Sequence, residues 1–343
     1  MTPMARRPSA APVPGASSTG SMVRIAHITD PHLPLAGVRP AELFGKRILG
    51  WLSWRLRRWR NHRPACLEKV VADVRAAAPG HVVVTGDVVN ISARAEFVRA
   101  RAWLAALGGP REVTFVPGNH DRYVAEAPRA GLASLMPWMT DAAADDGAAG
   151  ARAAAARGRV PPAPFVRYVR NVAIIGLDSS WPAPWKEASG MVGAEQLARL
   201  AETLDDCRRK GLFRLLLIHH PPLAELASKP RKALRDADRM AEVLRHHGVE
   251  AVLFGHNHTW ARAELETAGG PAFLLTAPSA SMAPGRGRPA AGWQMLEITR
   301  RQGSWRLTVE RRQLAADGRM ITRERLELAP GRQGAAMAAA GGG

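Results

Sequence analysis

Val113-Thr114-Phe115-Val116-Pro117-Gly118-Asn119-His120-Asp121 is the stretch on which the reading of this chain turns. A β-rich run of four residues stops at Pro-Gly and is followed at once by a carboxamide, an imidazole and a carboxylate. Other short β-rich or apolar runs end in the same way. Val23 to Thr29 leads into Asp30-Pro31-His32, Val82 to Thr85 into Gly86-Asp87, Leu215 to Ile218 into His219-His220-Pro221, and Ala251 to Phe254 into Gly255-His256-Asn257-His258. In open α/β sheets the carboxyl ends of strands are where ligand sites gather, because loops there converge while the sheet holds them rigid. Polar clusters at these successive strand ends predict one shared site.

The residue types point to metal. Residues two apart on extended backbone project to one side, so the spacing predicts that Asp30 with His32, and His256 with His258, each present two ligands to one cavity. Carboxylate, imidazole and carboxamide donors without thiolate suit Mn²⁺, Fe²⁺ or Zn²⁺. Two Asp, one Asn and three or four His exceed the needs of one ion. Two ions are therefore expected, about 3.5 to 4 Å apart, with an Asp bridging them.

Taken together, D-x-H, G-D, G-N-H-D, H and G-H-x-H resemble the pattern of the calcineurin-like metallophosphoesterases, running from Asp30 to His258. The resemblance implies a sandwich of two mixed β-sheets flanked by helices. Carried over by position, Asp30, His32, Asp87 and His258 hold one ion, while Asp87, Asn119, His219 and His256 hold the second, with Asp87 shared. His219 is selected over His220 because the family's ligand stands two residues before a Pro. The reaction implied is hydrolysis of a phosphodiester or phosphomonoester by a hydroxide bridging the two ions. His120 is the expected general acid to the leaving oxygen, with Asp121 orienting its imidazole. Within the family the motifs look most like class III cyclic-nucleotide phosphodiesterases. The lipid A branch usually carries Arg where His120 stands.

The remaining sequence frames this site. The chain has 343 residues, 46% hydrophobic and 23% charged, ample for a packed core. Helix-like stretches at Cys66 to Ala77, Ala93 to Leu107, Ala194 to Arg209 and Ala237 to His246 alternate with the strands and predict an α/β fold. Phe273 to Thr276, Trp293 to Thr299 and Trp305 to Glu310 have no helix between them and are expected to pair as an antiparallel meander, forming much of a second sheet. The domain is expected over 23–328, between disordered tails at 1–22 and 329–343; Met22 is a candidate start of translation. No apolar segment approaches the roughly 20 residues that cross a bilayer, and two cysteines, Cys66 and Cys207, suit a reducing cytoplasm. His62, His81, His246 and His247 read as surface or helix-end residues, and His27 as core or behind the ligands.

Lys and Arg number 48 against 30 Asp and Glu, a net charge of +18, and 42 of the cations are Arg. That balance favours phosphate-bearing partners and leaves a nuclease or nucleic-acid-binding protein as a rival to a phosphodiesterase acting on small or lipid-linked esters. A scaffold retaining the fold without activity is a third reading. Two insertions stand out. Residues 122–165 are rich in Ala, Gly and Pro, and 141–164 read as a mobile loop. Residues 33–64 hold eight Arg or Lys and one acid. There Phe44, Ile48, Leu52, Leu56 and Trp59 recur at helical spacing, predicting an amphipathic cationic helix. The stripe is expected to pack on the domain as a lid, the other reading being peripheral contact of residues 43–60 with an anionic inner-membrane face.

Overall fold

The structure is a computed structural model and describes residues 22–125, 131–140, 163–285 and 287–331. The expected tails lie outside these residues except for Met22 and 329–331, and so does the expected loop except for Ala163 and Pro164. Two mixed six-stranded sheets form a sandwich. The first comprises β1 (Val23–Ile28), β2 (His81–Thr85), β3 (Val113–Val116), β10 (Gly292–Arg301), β11 (Ser304–Leu314) and β12 (Met320–Leu328), in the order β12-β11-β10-β1-β2-β3. The second comprises β4 (Phe165–Val169), β5 (Val172–Gly176), β6 (Phe213–Leu217), β7 (Ala251–Phe254), β8 (Ala261–Thr267) and β9 (Gly270–Thr276), in the order β4-β5-β6-β7-β9-β8.

Each sheet has a parallel centre: β1, β2 and β3 in one, β5, β6, β7 and β9 in the other. Strands buried on both faces read as continuous apolar runs rather than alternating ones, which is the pattern of Val82 to Val84 and Leu215 to Leu217. Alternate residues still divide between two cores. Ile174, Leu215, Leu217, Leu253 and Leu275 face the space between the sheets. Ile175, Leu216, Val252 and Leu274 face α5 (Ala194–Arg209) and α6 (Ala237–His247), meeting Leu200, Leu204, Met240 and Leu244. On the first sheet, α3 (Pro64–Ala76) and α4 (Arg94–Leu107) bury Val70, Val74, Phe97 and Leu104.

The meander is real but its membership differs from expectation. β10, β11 and β12 pair antiparallel and extend the first sheet from β1. The run containing Phe273 to Thr276 instead pairs parallel with β7 and antiparallel with β8. The strand β8, Ala-Arg-Ala-Glu-Leu-Glu-Thr, is largely polar and sits at the sheet's edge, so it carries no apolar run, and its hairpin partner β9 is drawn with it.

Two buried histidines couple the fold to pH. His27 accepts at Nδ1 from Gln294 Nε2 (2.8 Å) and donates from Nε2 to Thr85 Oγ1 (2.8 Å), while His81 pairs with Thr114 Oγ1 at 2.7 Å. The latter is therefore a buried strand residue rather than a surface one. Burial pushes His27 down to about 3 and His81 down to about 4. The folded chain thus refuses protons that the unfolded chain accepts below about pH 6.5. Stability is expected to fall as pH drops from there toward the folded values, by up to about 1.4 kcal/mol per pH unit for each histidine. Urea midpoints measured over this range check it; a flat profile contradicts it.

Candidate metal centre

The candidate ligands lie just beyond the carboxyl ends of β1, β2, β3, β6 and β7, and all seven are buried. Their backbones are tied together. Asp30 N donates to Gly86 O (3.1 Å), His32 N to Asp87 O (3.0 Å), and Gly255 N to His219 O (3.0 Å). Gly118 allows this closeness, since a Cβ there would overlap the Asp87 carboxylate. The i, i+2 pairs converge as expected, but not on extended backbone. Asp30 (φ 50°), His32 (39°), Asp87 (55°), His256 (69°) and His258 (55°) all adopt left-handed conformations. Such conformations are uncommon outside glycine and cluster at functional sites. Here the turn that ends each strand, rather than strand pleat, aims the side chains inward.

Two groups of donors meet at Asp87. On one side His258 Nε2 lies 3.0 Å from Asp30 Oδ1 and 3.4 Å from His32 Nε2, and His32 Nε2 is 3.8 Å from Asp87 Oδ2. On the other, His219 Nε2 is 3.5 Å from the same Oδ2, 3.2 Å from Asn119 Oδ1 and 3.2 Å from His256 Nδ1. Asp30 Oδ2 is held by Thr29 Oγ1 (2.7 Å) and His256 N (3.0 Å), and His219 Nδ1 donates to Thr85 O (2.8 Å). His220 Nδ1 lies 2.8 Å from Ser179 Oγ, but its Nε2 is buried without a hydrogen-bond partner among the described residues, and His219, His220 and His256 lie close enough to share an ion.

The charges suit a cation. Burial raises the Asp30 and Asp87 carboxyl pKa values, but the surrounding imidazoles outweigh it and bring both below the ordinary value. Burial lowers His219, yet Asp87 and Asp30 push it up to about 9. His32, His256 and His258 are shifted down chiefly by burial. Imidazole nitrogens 3.2 and 3.4 Å apart share few protons between them, and His256 Nε2 is buried without a partner among the described residues. Oxygen and nitrogen lone pairs converging in this way fit divalent metal ions.

Asp121 does not orient His120, contrary to expectation. Its oxygens accept four backbone N–H groups, from Asp87 (2.8 Å), Gly118 (2.8 Å), Val88 (3.0 Å) and Val89 (3.1 Å). Burial, with the neighbouring charge of Asp87, pushes its carboxyl pKa up to about 8 against the effect of those donors. A carboxylate one residue past the imidazole folds under the loop and braces it. His120 is set instead by Asn90, whose carbonyl accepts from Nδ1 at 2.5 Å, while Nε2 faces Arg58 Nη1 at 3.2 Å. Burial and the adjacent Arg58 push His120 down to about 3.

The insertion supplies residues that motif reading missed. Arg58 Nη2 lies 3.1 Å from His32 Nδ1 and 3.2 Å from His32 Nε2, and its Nη1 lies 3.2 Å from His120 Nε2. His62, expected at the surface, is buried with its ring centroid 4.4 Å from that of His32, and Ser281 Oγ lies 2.9 Å from its Nδ1. His32, His62 and His258 form a further set of imidazoles close enough to share an ion. Lys232 and Arg288 border the same site, the first 3.4 Å from His256 O and the second 3.4 Å from His258 Nδ1. Sequence gave one signal for Arg58 and His62: both lie in the segment of concentrated positive charge.

A two-sheet sandwich with Asp, Asn and His gathered at its strand ends is the architecture of a metal-dependent phosphoesterase. Residues 23–260 match the model of the calcineurin-like phosphoesterases, and the chain belongs to that family. It is 27% identical over 239 residues to a probable cyclic nucleotide phosphodiesterase of Synechococcus sp., covering 69% of this chain and 78% of that protein. It is 29% identical over 185 residues to a cAMP/cGMP dual specificity phosphodiesterase of Mycobacterium tuberculosis, covering 52% of this chain and 49% of that one. The aligned part is thus about half the length of the mycobacterial protein. Among solved structures, a dimetal phosphatase from Danio rerio superposes with TM-score 0.57 at 18% identity, covering 90% of this chain and 99% of that one. At this identity the likeness speaks for the fold.

Proposed function

We propose that the chain hydrolyses phosphodiesters at a pair of divalent ions, Mn²⁺, Fe²⁺ or Zn²⁺, with cyclic nucleotides the first substrates to test. Asp30, His32, Asp87 and His258 would hold one ion, and Asp87, Asn119, His219 and His256 the other. The observation that carries this reading is the single Asp87 oxygen within 3.8 Å of His32 Nε2 and 3.5 Å of His219 Nε2. Two bound ions supply an activated water and positive charge against the phosphoryl oxygens.

The chain's own residues do the rest. Asp30 and Asp87 leave two dications with a net charge of about +2, and neutral Asn119 adds none against it, so an anionic diester is attracted. Arg58, Lys232 and Arg288 extend that positive rim. His120 presents Nε2 to the leaving oxygen, held at Nδ1 by the Asn90 carbonyl. Burial first and Arg58 second keep the imidazole neutral; a phosphate anion arriving beside Arg58 offsets the second of these and gives Nε2 a negative partner, which favours uptake of the proton that His120 would deliver.

The test is turnover of bis(p-nitrophenyl) phosphate, p-nitrophenyl phosphate, cyclic AMP, cyclic GMP and single-stranded DNA by protein reconstituted with each metal. Metal-dependent cleavage of the diesters is expected. A metal-loaded protein inert toward all of them would leave a non-catalytic scaffold as the better account, and preference for DNA would move the substrate class to nucleic acid. Arg58→Ala is expected to raise KM for the preferred diester about tenfold or more, the size of one lost charged contact, with metal content unchanged. Lysine there restores charge without the forked guanidinium and recovers only part of the effect. An unchanged KM would remove Arg58 from substrate binding.

A further inference from the structure

The insertion forms α1 (Lys46–Ser53), a π-helical turn (Trp54–Arg58) and the short α2 (Trp59–Asn61). Its apolar stripe does not pack on the domain. Phe44 is 80% exposed and Leu56 71%, and Ile48, Leu49, Leu52 and Trp59 are exposed beside them. The opposite face makes the attachment. Arg47 donates to Ile91 O (3.2 Å) and Ser92 O (2.9 Å), Trp54 is buried against His62, and Arg58 enters the metal site. Gly50 fixes this orientation, because any Cβ there would collide with Ile91. The end of the insertion is tied down by Arg63 N to Ser281 O (2.8 Å) and Ala283 N to Asn61 O (2.7 Å). The stripe expected to pack on the domain therefore faces outward.

Contiguous large apolar residues held outward on a fixed helix mark an interaction surface. The charge around them selects the occupant. Arg55, Arg57, Arg60 and Arg63 are exposed, and none has a carboxylate within salt-bridge distance among the described residues. Arg55 lies over the Trp51 ring, and Arg60 and Arg63 over that of Trp59, at 5.2 to 5.4 Å. The only acid from 33 to 64, Glu42, is turned to the Arg94 backbone N–H (2.9 Å). Leu and Phe for acyl chains, Trp at the headgroup level and unpaired Arg for lipid phosphates are what an interfacial helix presents.

We propose that the outer face of this insertion docks on an anionic lipid bilayer, placing the metal centre, which the inner face of the same element lines, next to the membrane surface. The docking does not depend on the reaction catalysed. The experiment is flotation of the full chain with phosphatidylcholine vesicles with and without phosphatidylglycerol, for the native protein, for Phe44→Ser/Leu52→Ser/Leu56→Ser and for Arg55→Glu/Arg57→Glu. These side chains are exposed, so turnover of bis(p-nitrophenyl) phosphate, or circular dichroism if the native chain is inert toward it, should match the native protein and show that the fold is kept. Native protein is expected to float with the anionic vesicles only, and both variants to lose partitioning by at least about tenfold. Failure of the native chain to float, or flotation of the serine variant at the native level, would overturn the proposal. So would loss, in that same variant, of a concentration-dependent self-association or of duplex DNA binding seen in the native chain without vesicles, which would assign the face to a second copy or to nucleic acid. Flotation together with inertness toward every phosphodiester would uphold docking and defeat the proposed reaction.

Discussion

Asp87→Ala is expected to lose bound metal from the whole centre and to reduce kcat/KM by at least about a thousandfold, because one carboxylate serves both groups of ligands. Its Oδ2 faces His32 and His219, and its Oδ1 accepts the His120 backbone N–H at 2.8 Å. Removing it takes away a bridging ligand, leaves imidazoles crowded without a counter-charge, and frees the loop that carries Asn119 and His120. The left-handed backbone at this position, φ 55°, strains alanine by itself. Asp87→Asn separates the two causes, since asparagine tolerates that conformation and removes only the charge. Metal per chain, measured by elemental analysis after reconstitution, is expected to fall in both. Native metal content in the asparagine variant would rule out Asp87 as the shared ligand.

His120→Ala is expected to leave metal content intact while lowering kcat by about a hundred- to ten-thousandfold, the usual contribution of general acid catalysis. The deficit is predicted to shrink with p-nitrophenolate, which departs readily without a proton, and to be largest for an alkoxide such as a ribose oxygen. That leaving-group dependence is the discriminating readout. A structural role for His120 would slow both substrates equally, and metal loss as deep as that of Asp87→Ala would make it a ligand or a support for one.

Much of this candidate site is legible in the sequence, for a physical reason. Metal ligation needs particular side chains at the ends of particular strands, so Asp30, His32, Asp87, Asn119, His219, His256 and His258 stand out wherever a β-rich run stops. The central strands were equally plain, because a parallel strand buried on both faces must be apolar throughout. The features that the sequence hides obey weaker rules. The edge strand β8 alternates Ala and Leu with Arg and Glu and resembles a loop. Asp121 and Asn90 act through backbone groups, whose directions no residue type declares. His62 and Arg58 come from an insertion, and which side of its helix faces inward is decided by Gly50 and the π turn rather than by hydrophobic periodicity. The helical periodicity is real, but the stripe it defines faces outward rather than into a core.

The left-handed turns at the ligands restrict how the sequence around them can drift. At about 1 to 3 kcal/mol each, five such residues are tolerated only because sheets on both sides over-determine the loops. Branched residues such as Val, Ile and Thr are shut out of positions 30, 32, 87, 256 and 258 by shape before any question of chemistry arises. Glycine and asparagine are the replacements the backbone accepts most readily. Either replacement relieves the turn but gives up a side chain that braces it, as Asp87 does by accepting the His120 backbone N–H and Asp30 by accepting that of His256, so at these positions backbone shape and side-chain chemistry can only change together.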